Sequence, residues 1–313
     1  MTLDNHLTRR TLLQVGSAIG LAAATSAPIA AAERCGPIVS GLLGHVCVGK
    51  GKLAVVVLHE WTTDHRNYDP VLPYLSEDEH SYVFADLRGY GSSKGLCGKY
   101  SIEEAAADLL RLMDHLGHHQ FCVVCHSMSG MIGQYLALVA KDRVRGVVAI
   151  SPVAPTGFQD EAQVAWWRTV VTDDNAARKL IAARTDNRYS AAWIRRKLRL
   201  VRTSCTREAM NGYLDMLAGT DFSAQVRGLD VPVRLIVGAH DLPAFRAEAA
   251  ESLFRGLYPN LTVTVIQDAG HYAMLETPVL LASMVDAALR DIAPGQASPE
   301  GHRVPVADIE IAD

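Results

Sequence analysis

Phe121-Cys122-Val123-Val124-Cys125-His126-Ser127-Met128-Ser129-Gly130 is an apolar run that breaks into a polar turn and leads into a helical pattern from Met131 to Val139. It reads as a strand, a sharp turn and a helix. A serine in such a turn is held in a strained backbone conformation with its hydroxyl above the sheet, where a histidine can reach it. Ser127 is the candidate nucleophile, and Ser129, also small and polar, is its nearest rival. The amide of Met128 follows at the helix N-terminus, where it can donate to a developing oxyanion.

Working outward, short apolar runs at Leu53 to His59, Ser81 to Asp86, Val144 to Ser151, Val233 to Val237 and Thr262 to Ile266 also read as strands. Between them Ser101 opens a helix, with Glu104 completing a capping box and Ile102, Ala105, Ala106, Leu109, Met113 and Leu116 at helical spacing. The alternation places the chain in the α/β class, with a mainly parallel sheet covered by helices. It breaks after Ser151, and the loss of strand periodicity predicts an inserted helical cap over 155–220, between core segments 33–154 and 221–292. Trp166, Trp167 and Trp193 are expected to pack that cap on the core or to line a pocket whose apolar wall favours an uncharged, compact substrate. Arg195, Arg196, Lys197, Arg199 and Arg202 surround Ile194, Leu198 and Val201, and read as a solvated helix face rather than an anion site.

Several ordered motifs resemble the α/β-hydrolase superfamily, over nearly all of Leu53 to Arg290. The turn at Ser127 resembles G-x-S-x-G, with Cys125 and Ser129 in place of the glycines. Asp86-Leu87-Arg88-Gly89-Tyr90-Gly91-Ser92-Ser93 resembles the family's D-x-R-G-x-G-x-S loop. Gly270-His271-Tyr272, followed by Glu276-Thr277-Pro278, resembles its histidine loop. Leu235-Ile236-Val237-Gly238-Ala239-His240-Asp241 ends a strand where the family places its acid. The resemblance thus implies a catalytic triad of Ser127, Asp241 and His271, in the chain order expected of this fold. Leu58-His59-Glu60-Trp61 stands at the family's H-G-x loop, which implies that the amides of Trp61 and Met128 form the oxyanion hole. Glu60 replaces a glycine there, and a carboxylate turned toward the oxyanion would oppose its charge. Glu60 is therefore a site modulator, pointing away into a network or adapting the site to other chemistry.

The implied activity is cofactor-independent hydrolysis of a small ester or lactone. Other chemistry on the same triad, such as carbon-carbon bond hydrolysis or perhydrolysis, and non-catalytic ligand binding are the alternatives. A serine at position 127 argues against haloalkane dehalogenase and epoxide hydrolase chemistry, which use an aspartate there. The 313 residues carry 30 basic and 34 acidic side chains, a balance without the basic footprint of a nucleic-acid binder. No phosphate-binding glycine loop is present, so no nucleotide cofactor is implied. His115, His118 and His119 have metal-like spacing, but Gly117 interrupts them at a helix end and no metal is expected.

Residues 1–32 read as an export signal: Arg9-Arg10 precede an uncharged, alanine-rich stretch that ends in Ala30-Ala31-Ala32. A membrane anchor is the competing reading, which the alanine content and Pro28 disfavour. Signal cleavage near Ala32 implies a periplasmic or secreted protein that meets the membrane only during export. All six cysteines, Cys35, Cys47, Cys97, Cys122, Cys125 and Cys205, follow the signal, so disulfides are possible there. Cys122 and Cys125 sit on opposite faces of one strand and are expected to be buried free thiols. From Ala293 a polar stretch punctuated by prolines predicts a loose tail over 293–313.

Overall fold

Val55-Val56-Val57 and Val123-Val124 fill two strands that are buried along their whole length, which requires helices on both faces. The computed structural model describes residues 41–294; the expected export signal, Cys35 and the part of the expected tail beyond residue 294 lie outside them. Within the described residues the strands are β1 (His45–Val48), β2 (Leu53–Leu58), β3 (His80–Ala85), β4 (Phe121–His126), β5 (Val144–Ile150), β6 (Val233–Gly238) and β7 (Leu261–Ile266). Their order is β1-β3-β2-β4-β5-β6-β7, with β1 antiparallel to β3 and every other pair parallel. The six expected strands are present to within a residue at their ends. The short, half-buried β1 was not among them, because four residues carry too little periodicity to register.

Helices α1 (Ile102–His115) and α2 (Met128–Val139) flank the central strands. Ser101 caps α1 by accepting from the Glu104 amide, while the Glu104 carboxylate accepts one residue further back, from Tyr100 N. Helix α2 starts three residues before the expected Met131, because the backbone turns sharply at Ser127 alone. Between β5 and β6 the chain forms α3 (Glu161–Val170), α4 (Asp174–Ala183), α5 (Ala191–Ser204), α6 (Arg207–Gly219) and the short α7 (Ser223–Val226), with no strand. Then α8 (Ala247–Phe254) precedes β7, and α9 (Ala273–Glu276) and α10 (Pro278–Ile292) follow it. None of the helices among the described residues is long and apolar enough to cross a membrane.

The topology fixes where chemistry can sit. From β2 the chain goes to β3 on one side and then crosses back to β4 on the other, so the order reverses between β2 and β4. Leu58 pairs with Cys125 in that register. The two segments that leave these strands, His59-Glu60-Trp61 and His126-Ser127-Met128, therefore emerge side by side at the carboxyl ends of the sheet.

Candidate active site

Ser127 has φ 54° and ψ −114°, a left-handed conformation that is rare for a non-glycine residue and costs on the order of 1–3 kcal/mol. Three backbone bonds hold it there: Ser127 N donates to Ile150 O at 3.0 Å, while its carbonyl accepts from Gly130 N and Val153 N, each at 2.9 Å. Both replacements of the expected glycines are absorbed locally. The Ser129 hydroxyl turns back on the elbow, donating to His126 O and accepting from His126 N, both at 3.0 Å. The Cys125 thiol is accommodated by Gly133, where a Cβ would lie 2.7 Å from Sγ. Cys122 and Cys125 are free and buried, as expected of one strand's two faces.

The structure brings Ser127, His271 and Asp241 together. Ser127 Oγ lies 2.9 Å from His271 Nε2, and His271 Nδ1 lies 2.7 Å from Asp241 Oδ2. Asp241 Oδ1 accepts from Leu242 N at 2.6 Å, which leaves its other oxygen for the histidine. All three side chains are buried. Burial pushes the His271 pKa below its ordinary value; Asp241 works against this and Arg184 adds to it. The histidine loop is pinned by the Glu276 carboxylate, which accepts from Gly270 N and Tyr272 N at 2.9 Å each. His126 Nε2 donates to His271 O at 2.8 Å, so the residue before the serine also holds the loop.

Trp61 is fixed from both ends: its indole donates to Met210 O at 2.7 Å, and Tyr90 donates to its carbonyl at 2.6 Å. Its backbone amide and that of Met128 have no acceptor among the described residues. His59 donates from Nδ1 to Glu60 O and accepts from Leu87 N at Nε2, which locks the neutral ring and the path of the chain between them.

Glu60 is the main surprise of the neighbourhood. Its carboxylate is fully buried among cations and hydroxyls: Lys197 Nζ at 2.7 Å, Arg184 Nη1 at 3.0 Å, Thr62 Oγ1 at 2.8 Å and Thr63 Oγ1 at 3.3 Å. Burial opposes its charge, but Lys197 and Arg184 outweigh burial and hold it well below the usual carboxylate range. Its charge is thus met by two cations inside the protein. Lys197 also donates to Asn67 Oδ1 at 2.9 Å and lies 4.1 Å from the centre of the Tyr272 ring.

That placement corrects the reading of the basic run on α5. Arg195, Arg196 and Arg199 are exposed, as a solvated face requires, but Lys197 points inward and is buried. The three cap tryptophans also differ from one another. Trp167 is buried and stacks on Trp61 with ring centres 5.7 Å apart; Trp193 is half-buried against Tyr189 and Tyr272; Trp166 is 40% exposed and does not pack the cap on the core. Arg184 carried no sequence signal at all, standing among alanines at the end of α4.

His115 and His119 are exposed and His118 is half-buried beyond the end of α1. A different group, Asp64, His65 and Asp86, brings three metal-type ligand atoms within 4.8 Å. These atoms already serve the protein: Asp86 accepts from His65 N, His65 Nδ1 and Ser92 N, and Asp64 pairs with Arg66. Gly91, at φ 42°, lets this loop close over Asp86, since a Cβ there would meet the carboxylate at 2.2 Å.

Residues 54–278 match the family model described as alpha/beta hydrolase fold. The chain is similar to 3-oxoadipate enol-lactonase 2 of Acinetobacter baylyi, 25% identical over 68% of this chain and 80% of the relative. It is also similar to the pimeloyl-[acyl-carrier protein] methyl ester esterase of Serratia marcescens, 24% identical over 77% of this chain and 95% of that one. Among solved structures, a bromoperoxidase from Bacillus anthracis superposes with TM-score 0.71 at 20% identity, covering 80% of this chain and 95% of that chain. The match spans strands β2 to β7, the inserted helices and the histidine loop, and on that extent the chain belongs to the α/β-hydrolase fold family.

Proposed function

We propose that the protein is a serine hydrolase that cleaves a small ester or lactone through an acyl-enzyme, with Ser127 as nucleophile. The observation that carries the reading is the hydrogen-bonded series from Ser127 Oγ through His271 to Asp241, set on a strained turn at the switch point of the sheet. Relatives named as an enol-lactonase and a methyl ester esterase support the bond type.

Each group has one task. His271 Nε2 takes the proton as Ser127 Oγ attacks the acyl carbon, and Asp241 holds the ring with Nδ1 protonated and stabilises the imidazolium. The carbonyl oxygen, now negative, accepts from the amides of Met128 and Trp61. Collapse expels the alkoxide, which leaves with the proton from His271; for a lactone it stays attached as a hydroxyl. Water then repeats the sequence on the acyl-enzyme. Ion pairing of Glu60 to Arg184 and Lys197 keeps the oxyanion site free of net repulsion, which favours catalysis over mere ligand binding.

A panel of short acyl esters and lactones tests the reaction class. Because His271 must be neutral to accept the proton, kcat/KM should fall as pH drops through its pKa. Burial sets that pKa below the ordinary 6.5, so the acid limb should have its midpoint under 6.5. A midpoint above that value would contradict the assigned environment of the base.

The export reading is also a proposal: residues 1–32 direct the chain out of the cytoplasm. N-terminal sequencing of periplasmic protein should find a start near Glu33, whereas intact Met1 on membrane-bound material would favour an anchor.

A further inference from the structure

Arg184 is fully buried, yet among the described residues only one of its three guanidinium nitrogens has a partner. Nη1 is engaged by Glu60 at 3.0 Å and by the Tyr272 hydroxyl at 3.5 Å. Nε and Nη2 have no acceptor among the described residues. These two donors form one edge of the planar guanidinium, the parallel pair that grips both oxygens of a carboxylate. A protein rarely buries such an edge unpaired.

The hydrogen-bonding pattern points the same way. Two buried cations, Arg184 and Lys197, share hydrogen bonds to the single carboxylate of Glu60, while the buried Asp241 carboxylate acts on Arg184 only through space. Lys197 spends its contacts on Glu60, Asn67 and the Tyr272 ring, which leaves Arg184 as the cation with free valence. Its position is next to the reacting groups. The Arg184 carbonyl accepts from His271 N at 2.8 Å, and its guanidinium carbon lies 5.2 Å from the ring of Trp167, which stacks on Trp61. Arg184 thus touches both the histidine loop and the wall beside the second oxyanion amide.

We propose that Arg184 is the anchor for a carboxylate carried by the substrate, so that the preferred substrates are esters or lactones bearing a second, free carboxylate. This replaces the uncharged substrate expected from the tryptophans, and it rests on the reading of Ser127 as the nucleophile of an ester hydrolase. The Nε–Nη2 edge binds the carboxylate in two parallel hydrogen bonds and fixes the distance from that group to the scissile carbonyl. Trp167 covers the flat face of the same guanidinium and excludes water from the pair.

The test pairs a p-nitrophenyl monoester of glutaric acid with p-nitrophenyl valerate, which has an acyl chain of similar length and no charge. Wild-type protein should favour the charged ester by about 100-fold in kcat/KM, mostly through KM. Arg184→Gln should remove that preference, read as the ratio of kcat/KM on the two esters within the same variant, so that any loss common to both esters through the Glu60 pair cancels. Arg184→Lys, which keeps the charge and loses the fork, should restore only part of it.

Binding is read independently of turnover. Free glutarate should raise the melting temperature of the wild-type and Ser127→Ala proteins, and glutaramide should not. Equal rates on the two esters with no stabilisation by glutarate would overturn the proposal. Stabilisation by glutarate, lost in Arg184→Gln, would uphold the carboxylate site even if neither ester were cleaved, and in that case the hydrolase reading alone would fail.

Discussion

Ser127→Ala is expected to lower kcat on the best ester substrate by on the order of 10⁶, the loss seen when the nucleophile of a triad that acts as a unit is removed. The fold should survive. The bonds that hold residue 127 in its turn, to Ile150, Gly130 and Val153, are all made by backbone atoms that alanine keeps. The positive φ is no worse for alanine than for serine, so the strain is unchanged. Melting temperature should therefore stay within a few degrees of wild type while turnover disappears. The matched control is Ser129→Ala, which removes a hydroxyl that bonds only to His126 within the elbow. It should cost far less than Ser127→Ala, and the reverse ranking would place the nucleophile at 129.

Glu60→Gln should be the most destabilising single change in the neighbourhood. The substitution keeps shape but removes the one carboxylate that Arg184 and Lys197 share, leaving a buried guanidinium and a buried ammonium without their common counter-charge. Breaking a buried ion pair by deleting one partner typically costs about 3–5 kcal/mol. For a domain of this size that corresponds to roughly a 10 °C fall in melting temperature. The pH sign follows from the same cations: the folded-state pKa of Glu60 lies well below its ordinary 4.5, so its contribution is present above that value and is lost as pH falls beneath it. Adding Lys197→Met to Glu60→Gln should recover much of the loss, since one of the stranded charges is then gone. Chemical denaturation of the single and double variants reads this directly. A single variant as stable as wild type would mean that Glu60 does not hold the two buried cations as described.

What could be seen in the chain follows from how local each feature is. The elbow is written in ten consecutive residues, and the valine-rich strands around it announce themselves by composition, so the α/β architecture and the positions of Ser127 and Met128 were legible. Asp241 and His271 were reachable through their own motifs and their order in the chain. The substitution at Glu60 was visible, but its meaning was not, because its cations stand 124 and 137 residues away. Lys197 was hidden among solvated arginines whose spacing says nothing about which member turns inward. Arg184 follows Ala182 and Ala183 at the end of an ordinary helix, and its importance comes from two donors without partners among the described residues that no linear pattern encodes. The four-residue β1 was missed for the opposite reason, being too short to show a period.

Ser127 Oγ is the oxygen expected to attack the substrate and form the covalent enzyme. Treating the purified full-length protein with a fluorophosphonate and mapping the adduct by peptide mass spectrometry addresses that without any knowledge of the natural substrate. The modification should fall stoichiometrically on Ser127, and prior protonation of His271 at low pH should slow it. Labelling at Ser129 or at another hydroxyl, or no labelling at a pH where His271 is neutral, would contradict it.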